Sequence, residues 1–291
     1  MENSRRFPLI LDGFWIKILA ILTMTIDHIG VYMPASPWTL AFRYIGRLAL
    51  PLFIFMVVEG ALHTKNFKKY ALRLGVMAAF ISITIVTIEL IPGLSFSIRN
   101  FGNIFLDLLL GALAVSLIDQ KNWAIKALAL LPIAYGIASF TADALEFCGC
   151  YGKILWFPYF LRTQYGFFGI LLSVGFYVAK KLADVFILYQ HNTTGIDLEI
   201  YDDSDLKRHA QNLLAFLALG VVSFILYVTG SLMPYKFVNW DLQLQAFAVV
   251  SGVFILLYNG RRGYNKKWFQ YGAYLYYPIH LTILYLIFSL I

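Results

Sequence analysis

The chain alternates between long apolar segments and short polar ones. Nine apolar segments, each of roughly 15–24 residues, approach the length that an α-helix needs to cross a hydrocarbon core about 30 Å thick. They cover residues 13–34, 39–62, 71–92, 103–118, 123–141, 165–180, 211–231, 242–258 and 271–290. The pattern therefore predicts an all-α, polytopic integral membrane protein, a helix bundle of about nine transmembrane helices. The stretch at 151–161 is too short to cross, and we interpret it as an interfacial or re-entrant piece.

Basic residues in the polar segments predict the orientation of the chain. Lys and Arg precede the first apolar segment and follow the second, fourth, sixth and eighth, whereas the alternate connections hold few of them. Because cytoplasmic loops are enriched in Lys and Arg, we expect a cytoplasmic N-terminus and an external C-terminus. The longest polar stretch, residues 190–211, then lies in the cytoplasm. We interpret it as a linker within one domain spanning residues 1–291.

Composition agrees with a lipid bilayer as the environment of this chain. Hydrophobic residues make up 60% of it and charged residues 13%, against about 25% charged in soluble domains. The basic loops account for the net charge of +7, so this charge does not indicate a nucleic-acid partner.

Cys148 and Cys150 are the only cysteines. A disulfide between residues so close would be strained, and no ligand set completes a metal site, so we expect two thiols and no metal.

Ionisable residues inside the first two apolar segments are the most informative feature of the sequence. Lys17, Asp27 and His28 lie in the first segment, where a charge is costly unless it faces protein or water. Lys17 and His28 are eleven residues apart, so they project from one helix face about 16 Å apart. Arg43 and Arg47 of the second segment lie at the depth of Asp27, and we expect Asp27 to pair with Arg47. Together these groups favour a lined polar cavity, although each of them alone could serve packing.

His28 is the candidate general base, because imidazole can take up and return a proton near neutral pH. Asp27 and a nearby arginine would set its tautomer. The alternative is a histidine that only hydrogen-bonds a backbone carbonyl within the bundle. Basic residues at 63–69 and 256–263 lie beside Asn and Gly and could bind phosphate groups, although topology alone would also explain them. No Walker, GxGxxG or HExxH motif supports soluble-type nucleotide or zinc chemistry.

Four stretches of the sequence strongly resemble the TraX family. They read LDGFWIKILAILTMTIDHIG, RYIGRLALPLFIFMVVEGALHTKNFKKYALR, LLYNGRRG and YLYYPIHLTILYLI. The resemblance covers residues 10–75 and 245–291, with weaker matches at 103–111 and 165–169. TraX proteins are associated with N-terminal acetylation of conjugative pilin and look related to wider groups of transmembrane acyltransferases. Members of those groups often have a basic or amide residue and a histidine separated by ten residues, here Lys17 and His28. Lys17 stands where acyltransferase type 3 members mostly have arginine, so it keeps the charge without the bidentate fork.

The resemblance implies an acetyltransferase of the bacterial cytoplasmic (inner) membrane. Acetyl-CoA would dock from the cytoplasm, and the acceptor would be an amine or hydroxyl near the outer face, such as a pilin N-terminus or a surface glycan. His28 would act as general base or covalent carrier and Asp27 would orient it. Lys17 would contact a phosphate or the pantetheine arm, and Arg47 would stabilise Asp27 or the oxyanion. The expected cofactor-binding residues are Glu59, His63, Lys65, Lys69, Arg73, Asn259, Arg261, Arg262, Tyr277 and His280.

Two other functions fit the same polar path. A small-solute or proton-coupled transporter would show an internal repeat with broken helices at matching positions, and we find no convincing one. A non-catalytic assembly factor for a pilus or another surface appendage would keep the fold without the chemistry. The sequence identifies neither the acceptor nor the oligomeric state.

Overall fold

The computed structural model describes residues 8–90, 102–148, 154–195, 197–198, 205–232 and 241–289. Within these ranges the chain is helical and forms no strands. The helices are α1 (Gly13–Tyr32), α2 (Pro37–Gly46), α3 (Ala49–His63), α4 (Phe67–Leu90), α5 (Ile104–Ile118), α6 (Trp123–Ala127), α7 (Leu130–Phe147), α8 (Phe167–Thr194), α9 (Leu206–Leu232), α10 (Leu242–Ala246), α11 (Gly252–Leu256) and α12 (Lys267–Ser289). Short 3₁₀ turns occur at Tyr159–Leu161 and Phe247–Ser251.

Several of these helices are long and apolar enough to cross a membrane. Among the described residues there are five such candidate spans: Gly13–Tyr32, Pro37–His63, Phe67–Ile88, Trp123–Phe147 and Leu206–Leu232. Shorter apolar helical stretches lie at Ile104–Ile118 and Leu242–Leu256. The predicted all-α membrane architecture is therefore confirmed, whereas the predicted count of nine spans is not.

Two predicted spans differ in form from the helices observed. The segment 39–62 is divided into α2 and α3 by a break at Arg47 and Leu48. The segment 165–180 covers only the first half of α8, which begins at Phe167, continues to Thr194 and carries Lys180, Lys181 and Asp184 in its middle. Lys180 is buried there instead of lying in a loop. Hydropathy ends the segment at these charges, whereas the helix continues because its backbone hydrogen bonds do not depend on side-chain polarity.

Polar residues at helix starts explain where the first helices begin. Asp12 precedes α1, and its carboxylate accepts hydrogen bonds from the backbone N–H groups of Phe14 and Trp15 at 3.0 Å each. Ser36 precedes α2 and forms a capping box with Thr39. Such caps satisfy N–H groups that have no partner within the helix. They fix the register of α1 and α2, and with it the direction in which the charged residues of both helices point.

The chain forms two compact units, each built from separate stretches of sequence. The first unit comprises residues 1–56, 175–223 and 246–291, and the second comprises residues 57–174 and 224–245. In the first unit α1 packs against α2 and α12. Buried side chains from α1, α3, α8, α9 and α11 form its apolar interior, including Ile16, Ala20, Leu52, Phe176, Leu219 and Ile255. The prediction of a single domain stays a prediction.

The second unit is organised around an irregular segment at residues 154–166. Arg162 is 2% exposed and donates hydrogen bonds to Asp143 at 2.9 Å and to both carboxylate oxygens of Glu146 at 2.8 and 3.0 Å. Asp107 of α5 accepts from the backbone N–H groups of Gln164 and Tyr165 at 2.6 and 3.1 Å. Non-helical backbone within an apolar protein is tolerated where its polar groups are satisfied in this way. Residues 151–153 of the predicted re-entrant piece lie outside the described residues.

Two further expectations concern connections between helices. The predicted linker 190–211 is helical at both ends, since α8 ends at Thr194 and α9 begins at Leu206; residues 196 and 199–204 lie outside the described residues. Cys148 is disulfide-bonded, so the expectation that it is a thiol is wrong. The other cysteine of the sequence, Cys150, lies outside the described residues.

Candidate functional site

The first part of the site is a pair of histidines contributed by α1 and α12. His28 Nδ1 lies 2.7 Å from His280 Nε2, and the two rings are stacked with centroids 4.9 Å apart. His280 is 5% exposed. Its Nδ1 lies 2.7 Å from the backbone carbonyl oxygen of Tyr276, one turn earlier in α12. The two rings and this carbonyl therefore form a continuous hydrogen-bonded chain.

Aromatic and hydroxyl groups surround the histidine pair. The ring of Tyr276 stacks on His280 at a centroid distance of 4.8 Å. Its hydroxyl hydrogen-bonds Thr25 of α1 at 2.8 Å. Tyr277 presents an edge-on contact to both imidazoles, at 6.0 Å from His28 and 5.8 Å from His280. The interface between α1 and α12 is thus polar at its centre and aromatic around it.

The second part of the site is a carboxylate shared by two arginines. Asp27 Oδ1 accepts from Arg47 Nη2 at 2.5 Å and from Arg43 Nη1 at 2.9 Å. Arg47 is 3% exposed, and its Nε donates to the backbone carbonyl of Arg43 at 3.1 Å. Both guanidinium groups act electrostatically on His28. The predicted pairing of Asp27 with Arg47 is confirmed, and Arg43 joins it.

The third part of the site is a basic cluster at the beginning of α1. Lys17 interacts electrostatically with Arg262 and with Asp12. Residues 257–261 are joined to residues 11–13 by three backbone hydrogen bonds of 2.8–2.9 Å. Gly263 has φ +66°, and a Cβ there would collide with the Asp12 carboxylate, so only glycine fits. The segment that contains Arg261 and Arg262 is therefore held against the start of the helix that carries Lys17.

Helix α9 supplies two residues to this cluster that the sequence analysis missed. The Arg208 guanidinium lies over the ring of Tyr258 at 5.4 Å and against the backbone of Gly260. The amide of Asn212 donates to the carbonyl of Tyr258 at 2.7 Å. Both residues lie more than 40 positions from the turn that they support, and the apolar pattern of α9 gives no signal for the contact.

The structure brings nine of the predicted site residues into the first unit. These are Lys17, Asp27, His28, Arg47, Asn259, Arg261, Arg262, Tyr277 and His280. They fall into two groups along α1, one at Lys17 and one at His28, separated by about 16 Å of helix. That Lys17 and His28 project from one face of α1 stays a prediction from their spacing.

The remaining predicted residues belong to the second unit. Glu59 is buried, and His63, one turn later in α3, lies with its Nδ1 2.9 Å from the Glu59 carbonyl and 3.7 Å from its carboxylate. Lys65 and Lys69 are exposed around the turn before α4, and Arg73 is half-buried on α4. Asn66 caps this helix by accepting from the Lys69 N–H at 3.0 Å.

Asp27 and His28 have different partners in this site. The carboxylate of Asp27 pairs with the two arginines, and the ring of His28 hydrogen-bonds His280. Consecutive residues on a helix point about 100° apart, which fits these separate partners. The predicted role of Asp27 in orienting His28 stays a prediction. Within the described residues no group of three or more His, Cys, Asp or Glu side chains could hold a metal ion.

Comparison with known proteins gives a family and one relative. The TraX protein family matches residues 13–239. The chain is also 34% identical over 112 residues to the probable fimbrial assembly protein FimC, serogroup H1, of Dichelobacter nodosus. That match covers 36% of this chain and 45% of the relative, so the chain spans less than half the length of that protein. No solved structure matches significantly. Because the family match extends over well more than half of the sequence, this chain belongs to the TraX family.

Proposed function

We propose that this protein is an integral membrane acetyltransferase that transfers an acetyl group from acetyl-CoA to an amine or hydroxyl acceptor. One observation carries the proposal: His28, which is hydrogen-bonded to His280 of α12, lies on the same helix as Lys17 and its basic cluster. Acetyl transfer from a phosphorylated donor needs one group that binds the donor's phosphates and another that accepts a proton from the acceptor. Lys17 and His28 could serve these two purposes at different depths of α1.

The basic cluster has the chemistry to bind the phosphates of coenzyme A. Lys17, Arg208, Arg261 and Arg262 all lie in the first unit, and Asp12, which caps α1, is the acidic group beside Lys17. Arginine and lysine beside a glycine-containing turn are a common arrangement for holding phosphate oxygens. About 16 Å of helix separate Lys17 from His28, which leaves room for an extended pantetheine arm. Glu59, His63, Lys65, Lys69 and Arg73 belong to the second unit, and their role in donor binding stays a prediction.

His28 would supply the proton transfer. It removes the proton from the acceptor nitrogen or oxygen as that atom attacks the thioester carbonyl carbon. It then returns the proton to the sulfur as the carbon–sulfur bond breaks, so that the products are the acetylated acceptor and the free thiol. Covalent transfer through the imidazole is the alternative that the same position allows.

The arginine pair would serve mainly to hold Asp27 in place. Arg47 is almost fully buried and uses its guanidinium on Asp27 and on the carbonyl of Arg43. These contacts favour a structural role for Arg47 over binding of the oxyanion. Arg43, with 27% of its side chain exposed, is the better candidate to stabilise developing negative charge.

The setting of the reaction follows from the predicted topology. We propose that the protein lies in the bacterial cytoplasmic membrane, with the acetyl donor arriving from the cytoplasm and the acceptor meeting the outer face. A pilin N-terminus or a surface glycan would satisfy this geometry. The similarity to a protein named as a probable fimbrial assembly protein supports an acceptor that belongs to a surface appendage.

A non-catalytic role in assembling such an appendage is the second candidate. It is favoured by the similarity to the same relative, whose name describes a probable role in fimbrial assembly. The two candidates differ in one respect, because only the enzyme needs an intact His28.

The experiment measures transfer of labelled acetyl groups by the purified protein in lipid nanodiscs. Radiolabelled acetyl-CoA is supplied with either glucosamine or a synthetic peptide with a free N-terminal amine. We expect His28→Ala to lower transfer by roughly 10²-fold or more, because general base catalysis contributes about 10²–10⁴. His191→Ala is the matched control, because His191 lies near the end of α8. We expect this substitution to leave transfer unchanged.

Two results would count against the enzyme. Equal transfer by His28→Ala and the native chain, with both proteins folded, would remove His28 from the mechanism. No transfer to either acceptor, together with no detectable binding of coenzyme A, would favour the non-catalytic assembly role.

A further inference from the structure

We infer that His280 is a positioning residue that holds the proton of His28 on Nδ1 and directs the ring's lone pair to Nε2. The structural content of this inference rests on hydrogen-bond geometry within the first unit. Its catalytic consequence rests on the proposed acetyltransferase function.

The backbone carbonyl of Tyr276 determines which nitrogen of His280 carries the proton. His280 Nδ1 lies 2.7 Å from this oxygen, which can only accept a hydrogen bond. Nδ1 of His280 must therefore carry a proton. In a neutral imidazole only one nitrogen is protonated, so His280 Nε2 carries a lone pair and accepts.

His280 in turn determines which nitrogen of His28 carries the proton. Its Nδ1 lies 2.7 Å from the accepting Nε2 of His280, so Nδ1 of His28 must donate. The neutral His28 ring then has its lone pair on Nε2. The tautomer of the first histidine is thus fixed by a carbonyl on another helix, through the second histidine.

The surroundings of His280 keep its ring in the orientation that this chain of bonds requires. Tyr276 stacks on it with an angle of 11° between the ring planes, and the Tyr276 hydroxyl is held by Thr25 at 2.8 Å. Tyr277 packs against the edge of the ring. His280 is also buried, so water has little access to compete for its nitrogens.

The consequence for catalysis is that one named atom, Nε2 of His28, takes the proton from the acceptor. With the opposite tautomer Nε2 would carry hydrogen and could not act as a base. A histidine that only packs between helices would need no such control. This role replaces the donor contact that the family resemblance implied for His280, so loss of the acceptor at residue 280 should reduce the rate of transfer and leave donor binding intact.

The first experiment observes the tautomer directly and does not depend on activity. The full-length protein, labelled with ¹⁵N-histidine, is placed in detergent micelles, and the signal of His28 is assigned by its absence in His28→Ala. We expect shifts of a protonated Nδ1 and an unprotonated Nε2 in the native chain, and loss of this preference in His280→Asn. A native His28 with its proton on Nε2 would overturn the inference, whatever the activity of the protein.

The second experiment compares two amide variants that differ in reach. His280→Gln extends far enough to offer a carbonyl oxygen to His28 Nδ1, whereas His280→Asn keeps only a donor near the Tyr276 carbonyl. Both substitutions are polar and similar in their effect on folding, which melting temperature checks. We expect kcat to fall by roughly 10²-fold in the Asn variant and to be largely restored in the Gln variant, with KM for acetyl-CoA unchanged in both.

The outcomes separate this inference from the proposed function. Equal loss of kcat in the Gln and Asn variants, or a rise in KM without loss of kcat, would show that residue 280 does not act through the tautomer of His28. A native tautomer as expected in a protein that transfers no acetyl group would contradict the proposed function and support the positioning role.

Discussion

The side chain of Asp27 lies where a methyl group on Gly46 would be. An ideal Cβ at Gly46 overlaps the Cβ, Cγ and Oδ1 atoms of Asp27, so the two helices approach too closely for any larger residue. We expect Gly46→Ala to push the carboxylate away from Arg43 and Arg47. Overpacking of this kind costs about 1–3 kcal/mol, which thermal unfolding in detergent would measure as a lowered melting temperature.

Gly220→Ala is the matched control for this substitution. Gly220 lies within α9, and no atom approaches within 4 Å of the Cβ that it would gain. Alanine favours a helix over glycine by about 0.5–1 kcal/mol, so this variant should be unchanged or slightly more stable. If Gly46→Ala were as stable as Gly220→Ala, the close approach of α1 and α2 would be wrong.

At the scale of single residues the sequence predicts charge pairing better than hydrogen-bond chains. The pairing of Asp27 with Arg47 could be predicted from the sequence. The short turn between α1 and α2 makes them antiparallel neighbours, so the two residues lie at a similar depth. The contact between His28 and His280 joins residues 252 positions apart, and which helix packs against α1 is a tertiary property. The apolar pattern of α12 marks a span but does not say which of its faces meets α1.

At the scale of elements the irregular segment 154–166 depends on single buried polar side chains. Asp107 is 1% exposed and offers one carboxylate oxygen to the N–H of Gln164 and the other to the N–H of Tyr165. In Asp107→Asn one of these oxygens becomes an NH₂ group that faces a backbone donor. We expect a loss of about 1–3 kcal/mol in the free energy of unfolding, measured by denaturant titration, and faster proteolysis within the segment.

Asp119→Asn is the matched control on the same helix. Asp119 is exposed at the C-terminal end of α5, where solvent can satisfy either side chain. Its stability should stay within about 0.5 kcal/mol of the native value. A similar small effect at Asp107 would mean that its two hydrogen bonds do not hold the segment.

Hydropathy predicted the positions of most helices but not where they break or end. It could not detect the division between α2 and α3, where the backbone N–H groups of Arg47 and Leu48 bond to the carbonyls of Tyr44 and Ile45, three residues earlier, because apolar residues continue on both sides of the break. It also ended a span at Lys180, although that side chain is buried inside α8. A hydropathy profile registers neither the pattern of backbone hydrogen bonds nor the burial of a charged side chain.

At the scale of the whole molecule the membrane class could be predicted from composition and segment length, but the number of crossings could not. A short helix such as Ile104–Ile118 is apolar, and many of its residues are buried inside the protein. Sliding-window hydropathy does not distinguish burial in protein from exposure to lipid. The orientation across the membrane therefore stays a prediction that needs its own test.

The test of orientation places single cysteines at the two ends of one candidate span. Ala35 is exposed in the turn before Pro37–His63, and Lys68 is exposed in the first turn of α4, just after this span, which is long and apolar enough to cross. In a Cys148→Ser, Cys150→Ser background, a membrane-impermeant maleimide applied to intact cells should label Ala35→Cys and not Lys68→Cys. Permeabilised cells should show both labelled. The reverse pattern would invert the topology and place the basic loops outside, whereas labelling of both sites in intact cells would mean that this helix pair does not cross the membrane.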